Sequence, residues 1–169
     1  MAKYFNISGE LTQQLLPAGE GVGVSKISLI NTQKVSKCKV DLYIEKKLKG
    51  KFYLLKKVEL PIGTTLIYDN IIFNNDTDEF SLYIKLTDGA TFTLTGSIDP
   101  IASTTVTGVG TAFLSEVSIG DEIVVTGETR TVSDIASDTS LTVSSAFSDN
   151  SNDTTPDCNP TALVGVIIN

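Results

Sequence analysis

Apolar and polar residues alternate with a period of two through most of the chain. From Cys38 the residues Val40, Leu42 and Ile44 fall on one face, and Lys39, Asp41, Tyr43 and Glu45 on the other. Side chains on a strand alternate between faces, so this stretch predicts a half-buried strand. Gly50 in "KGKF" predicts a turn, and "FYLLKKVEL" (residues 52–60) returns as the partner strand until Pro61-Ile62-Gly63 breaks it. A β-branched run, "TTLIYDNIIF" (64–73), follows, then a loop by composition at residues 74–78. A further alternating run, "EFSLYIKL", covers residues 79–86. Earlier, "GVGVSKISLINT" (21–32) alternates Val22 and Val24, then shifts to Ile27 and Leu29. The single stretch predicted to be helical is "ELTQQLL" (10–16), which Pro17 would end.

The second half keeps the same pattern in shorter pieces. "TTVTG" (104–108), "DEIVVTG" (121–127), "ETRTVSDI" (128–135) and "TSLTVSSAF" (139–147) read as strands separated by turns. Between the first two, Phe113, Val117 and Ile119 are expected to cover the end of a small barrel. Crossover helices are missing, so the sheets should be antiparallel. The expected fold is all-β: an antiparallel β-sandwich with a second small β-barrel-like module. Ala162, Leu163, Val164, Val166, Ile167 and Ile168 form a last apolar strand with nothing downstream to pair with it. It should enter a sheet built by the first half, beside residues 79–86. The expected organisation is a host sandwich of residues 1–90 plus 159–169, with residues 91–158 inserted before the last strand. Two consecutive domains are the simpler alternative.

Composition narrows the chemistry. The 169 residues are 41% hydrophobic and 20% charged, enough for a core and against wholesale disorder. No apolar run reaches the length of about 18 residues needed for a membrane span. The first residues lack the apolar segment of a secretory signal. Histidine and tryptophan are absent, which removes Ser-His-Asp and Cys-His arrangements and histidine-ligated zinc. Charge is uneven. Residues 1–86 hold twelve lysines against nine carboxylates (+3), and residues 87–169 hold one arginine against eleven (−10). The acidic half is poorly suited to nucleic acid, which needs many cationic phosphate contacts. The lysines concentrate in "EKKLKGKFYLLKK" (45–57). That run reads as a charged hairpin tip flanking strands, or as a docking face for an acidic protein surface.

Several stretches resemble sites. Gly108-Val109-Gly110-Thr111 has the glycines of a phosphate loop, but Ala112-Phe113 stands where a Walker loop needs Lys-Ser/Thr. A β-turn is expected there. Gly120-Asp121-Glu122 offers two carboxylates, but neighbours on a strand point to opposite faces. Residues 148–157, "SDNSNDTTPD", have the oxygen content of a calcium loop without the EF-hand order. A polar connecting loop is expected, with a calcium site as the alternative. Cys38 and Cys158 should be unpaired thiols in a reducing compartment, with a long-range disulfide as the alternative. Without a secretory signal, the sequons at Asn6, Asn75 and Asn152 read as chance. No catalytic residue, cofactor or metal ligand is assigned.

Two stretches carry a resemblance. The ordered series Ser103-Thr104-Thr105-Val106-Thr107-Gly108, "GTAF", "LSEVSIGDEIVV" and "GETRTVSDIASDTSLTVSSAF" resembles a small β module of tailed-bacteriophage virion proteins. Its signature is Gly-Thr-x-Phe, Gly-Asp-x-Ile, Arg-x-Val-x-x-Ile and Leu-Thr-Val. The first-half series "ISLINTQKVSKCKVDLYI", "KFYLLKKVELPIGTTLIYDN" and "FSLYIKL" resembles β-sandwich domains of phage capsid-decoration and other virion structural proteins. In such sandwiches the closing apolar strand follows soon after the strand like "SLYIKL". The resemblance implies a virion structural role with no catalytic residues to carry over, and within that class a protein that decorates or cements the capsid shell is favoured. Its partners would be the major capsid protein or other virion proteins and further copies of itself, with neither nucleic acid nor membrane. Its place would be the virion, assembled in the host cytoplasm. A tail, neck, baseplate or fibre component is the near alternative. A host-surface or glycan-binding adhesin is another, although twelve aromatic residues without tryptophan are a thin supply for sugar stacking.

Overall fold

The structure is a computed structural model and describes residues 1–46, 48–75 and 79–169. Lys47 of the lysine cluster lies outside the described residues, as do positions 76–78 of the expected loop with most of the Asn75 sequon. In chain order the elements are β1 (Lys3–Ser8), β2 (Thr12–Leu16), β3 (Gly23–Asn31), β4 (Cys38–Lys46), β5 (Gly50–Leu60), β6 (Thr65–Asn74) and β7 (Ser81–Thr87). Then come β8 (Phe92–Thr93), β9 (Ser97–Asp99), β10 (Thr105–Val109), the helical turn α1 (Phe113–Glu116), β11 (Glu122–Val125), β12 (Glu128–Ser137), β13 (Ser140–Val143), β14 (Asp157–Asn159) and β15 (Leu163–Ile168). Among the described residues the chain is all-β apart from that turn, and its sheets are antiparallel. Two compact units result. One comprises Met1–Gln33, Lys37–Asp88 and Ala162–Asn169, and the other Lys34–Ser36 and Gly89–Thr161.

The first unit is a sandwich of two four-stranded sheets, ordered β1-β15-β3-β6 and β2-β7-β4-β5. The predicted alternation places one side chain in two between them. Val40 and Leu42 of β4, Leu82, Ile84 and Leu86 of β7, Ile27 and Leu29 of β3, and Val164, Val166 and Ile168 of β15 share one buried cluster. The shift in pattern between Val24 and Ile27 is a β-bulge, where the pairing slips between Val24 and Lys26. At the β4–β5 hairpin Gly50 has φ +98°, the left-handed backbone that favours glycine.

Two expectations for this unit need correction, and one strand was not foreseen. Residues 10–16 form no helix: Thr12–Leu16 is strand β2, paired with β7. Seven residues make a poor helix nucleus, and burial of Leu15 and Leu16 in the sandwich core outweighs local propensity. The last strand β15 does not sit beside β7. It lies between β1 and β3, in the opposite sheet. The two strands bury side chains in the same core from opposite sheets, so both must be apolar on one face, and apolarity alone does not distinguish a strand across the core from a paired neighbour. Strand β1 went unassigned from the pattern, yet it carries Phe5 and Ile7 inward and forms the edge of that sheet.

The second unit is one seven-stranded sheet, ordered β8-β14-β11-β12-β13-β10-β9. A bridge from Ile98 in edge strand β9 to Asp153, just before β14, curls it back toward its other edge. Its core gathers Ile98, Val106, Ile123, Val125, Val132, Leu141 and Cys158 from the strands. Residues 111–120 contain the helical turn α1, which the pattern did not announce. Phe113 and Val117 are fully buried in the core, but Ile119 is 59% exposed and covers nothing.

Candidate interaction surface

The glycine stretch closes on its own unit. Gly108 lies within β10, and its amide donates to the Thr139 carbonyl at 2.9 Å. Thr111 Oγ1 donates to the Asp138 carbonyl at 2.6 Å, and the Leu114 amide to Asp138 Oδ1 at 3.0 Å. A Cβ on Gly108 would meet Thr111 Oγ1 at 2.2 Å, so glycine is required there for close packing. The turn itself is at Gly110, with φ +68°. These donors serve the β12–β13 turn, and a phosphate would have to displace that turn.

The acidic pair divides as strand geometry requires. Glu122 is exposed, whereas Asp121 is fully buried. Asp121 Oδ2 accepts the Ser118 amide at 2.8 Å and Oδ1 accepts the Thr161 amide at 2.9 Å. Cys158 Sγ lies 3.9 Å from Oδ2. Asp121 therefore fastens the start of β11 to the end of the unit. The carboxylates around residues 148–157 are similarly engaged. Glu128 accepts the Ser148 hydroxyl at 2.6 Å and the Asp149 amide at 2.8 Å, and pairs with Arg130. Those bonds, the hydroxyl first, pull its pKa down to about 2. Asp153 Oδ2 accepts the Thr126 amide at 2.7 Å, and Asp149 Oδ1 the Ser151 amide at 2.8 Å. Among the described residues no group of three or more His, Cys, Asp or Glu side chains is placed to hold a metal ion.

Both cysteines are free and buried, each in the core of a different unit. Burial, then the nearby Asp88 carboxylate, pushes the Cys38 thiol up to about 11. Burial, then Asp121, pushes Cys158 up to about 12. Neither is a thiolate nucleophile near neutral pH. The sequon residue Asn75 is also buried. Its side chain accepts the Val22 amide at 2.8 Å and donates to the Pro17 carbonyl at 2.7 Å.

The lysine cluster gains a geometry that its composition did not convey. On the outer face of sheet β2-β7-β4-β5, Gln14, Tyr83, Tyr43 and Tyr53 stand directly opposite one another across four strands. Tyr43 stacks on Tyr83 with centroids 5.5 Å apart and rings 16° from parallel, and meets Tyr53 at 5.4 Å. Gln14 Nε2 donates to the Tyr83 hydroxyl at 3.1 Å. Lysines lie over this ladder: Lys51 Nζ is 4.6 Å from the Tyr43 ring centroid and Lys56 Nζ 3.6 Å from that of Tyr53. Each ammonium faces the negative face of a ring. The Lys51 pKa is raised, first by its hydrogen bond to the Tyr43 hydroxyl. Two bulges in the β4–β5 pairing bring Tyr53 opposite Tyr43, and no count along the sequence includes them.

The opposite sheet presents a different face. Tyr4, Ile167, Ser28 and Ile67 form one cross-strand row, and Asn6, Gly165, Ile30 and Thr65 the next. Neither row contains a charge.

No protein-family model matches the chain, and no curated protein matches it. Among solved structures it is similar to a chain of the T13 particle of IBDV, with 8% identity and a TM-score of 0.27, covering 99% of this chain and 38% of that one. It is also similar to a chain of infectious bursal disease virus, Gx strain, with 9% identity and a TM-score of 0.22, covering 99% and 40%. The chain thus spans well under half the length of each, and likenesses at these scores carry no argument about function.

Proposed function

We propose that this chain is a non-enzymatic virion structural protein of a tailed phage that decorates or cements the capsid shell. The observation that carries the reading is what the signature residues of the small β module do. Thr111 ties its stretch to the β12–β13 turn, Phe113 fills the core, and Asp121 fastens two backbone amides. Arg130 lies over the Phe147 ring at 5.3 Å, and Val132, Leu141 and Val143 are core residues. Each is a framework residue, as a module used for its shape requires. The second unit is read as an insertion between β7 and β15 of the sandwich. Binding energy at subunit contacts, from sheet faces and free strand edges repeated over many copies, would stabilise the lattice.

Immunogold labelling of purified virions with an antibody against this chain tests the reading. Label over the capsid shell is the expected result. Label confined to the tail would replace the capsid assignment with a tail, neck or baseplate role. Virions free of label would overturn the virion assignment altogether.

A further inference from the structure

Charge is divided between the two units, and each unit displays its share on a sheet face. The first unit holds eleven lysines and ten carboxylates (+1), and the second ten carboxylates against Lys34 and Arg130 (−8). On the outer face of sheet β2-β7-β4-β5, Lys39, Lys51, Lys56 and Lys85 are exposed along the tyrosine ladder. Three carboxylates share this face: Asp41 accepts the Lys57 amide at 2.6 Å, Glu59 pairs with Lys37 at 3.0 Å, and Glu45 stands opposite Lys51 in the β4–β5 pairing, so the face keeps only a small positive excess. The second unit's sheet turns Ile123, Val132, Leu141 and Cys158 inward. Its outer face therefore carries Asp157, Glu122, Asp134 and Asp99. The one basic residue in its strands, Arg130, is bound to Glu128 and the Ala146 carbonyl beside Phe147.

We propose that the lysine–tyrosine face of one copy docks on the acidic outer sheet face of the second unit of another copy, head to tail. Like-charged surfaces repel, so two acidic faces do not pair, whereas the lysine face meets its complement in a second copy at equal stoichiometry. Lys51 and Lys56 are held over rings before docking, which reduces the rotamer freedom lost on contact. The contact is heterologous, so it propagates into a ring or an open chain. Four strands at about 4.8 Å spacing and six residues at about 3.4 Å each give a face of about 400 Å². Two such faces bury about 800 Å², the size of a weak contact that becomes effective in a repeating assembly. The proposal concerns the chain alone and does not depend on the virion assignment.

Sedimentation equilibrium of the full chain tests it. At about 50 mM salt the weight-average mass should rise with concentration, and at about 500 mM the association should weaken at least about tenfold, because exposed charges are screened. Lys51→Glu with Lys56→Glu should be monomeric, as should Glu122→Lys with Asp134→Lys, both with the circular dichroism of the parent. Lys51→Gln with Lys56→Gln should associate more weakly than the parent. An equimolar mixture of the two charge-reversed proteins should associate again, because both the intact faces and the reversed faces are complementary between the two proteins. A parent chain that stays monomeric at low salt would overturn the proposal. So would association indifferent to the lysine substitutions, or a mixture that remains monomeric.

Discussion

Replacing Asp121 removes a carboxylate that is fully buried and bonded to two backbone amides, those of Ser118 and Thr161. Alanine leaves both donors without this acceptor. Each loss costs about 1–3 kcal/mol, and the relief of no longer burying a polar group offsets part of it. A net destabilisation of about 3 kcal/mol is expected for Asp121→Ala. Asp121→Asn keeps one carbonyl acceptor but turns an NH2 toward the other amide, so about half that loss is expected. In a unit of fewer than about 100 residues, 3 kcal/mol lowers the melting temperature by more than about 10 °C. Differential scanning calorimetry is the suitable assay, because two compact units need not melt in one transition. The loss should fall on the transition of the unit spanning Gly89–Thr161. An Asp121→Ala protein within about 0.5 kcal/mol of the parent would refute the fastening role and reopen a chemical one for this carboxylate.

Gly108→Ala should cost about 1–3 kcal/mol by urea denaturation, because the new methyl would lie 2.2 Å from a Thr111 hydroxyl already held by Asp138. Gly23→Ala, where a Cβ meets nothing within 4 Å, should change stability by no more than about 0.5 kcal/mol. Glu128 has a folded pKa of about 2, below its ordinary 4.5, so the unfolded chain takes up its proton first as pH falls. Its contribution is therefore complete above about 4.5 and is lost as pH drops toward 2. Glu128→Gln should flatten that acid limb when denaturation midpoints are compared at falling pH. With thiols pushed up to about 11 and about 12, Cys38 and Cys158 should both resist Ellman's reagent at pH 8 in the native protein and both react once it is unfolded. Rapid native labelling of either would contradict its burial.

Period-two alternation made β4 and β7 legible from the chain alone, because a strand with one buried face needs an apolar residue at every second position, while turn residues marked β5 and β12 and a near-continuous apolar run marked the closing β15. The bulge in β3 was legible too, as a one-residue slip in that alternation. Charge asymmetry and the absence of histidine are also properties of the sequence, and the second removed histidine-dependent catalysis before any fold was known. Partnership between strands was not legible. Residues 10–16 read as helix until β7 supplied a sheet edge, and β15 was expected beside residues 79–86 but pairs with β1 and β3 in the opposite sheet. Pairing is settled by long-range packing, to which local propensity contributes little. The same holds for the surface. The lysines of residues 45–57 are evident in the sequence, but Tyr43, Tyr53 and Tyr83 became one ladder only through a register set by two bulges and three strands. Asp121 likewise read as half of an acidic pair, and only burial beside the Thr161 amide, forty residues away in the chain, made it a fastener. Alternation along the chain is local and one-dimensional, whereas register and burial depend on which distant segments meet.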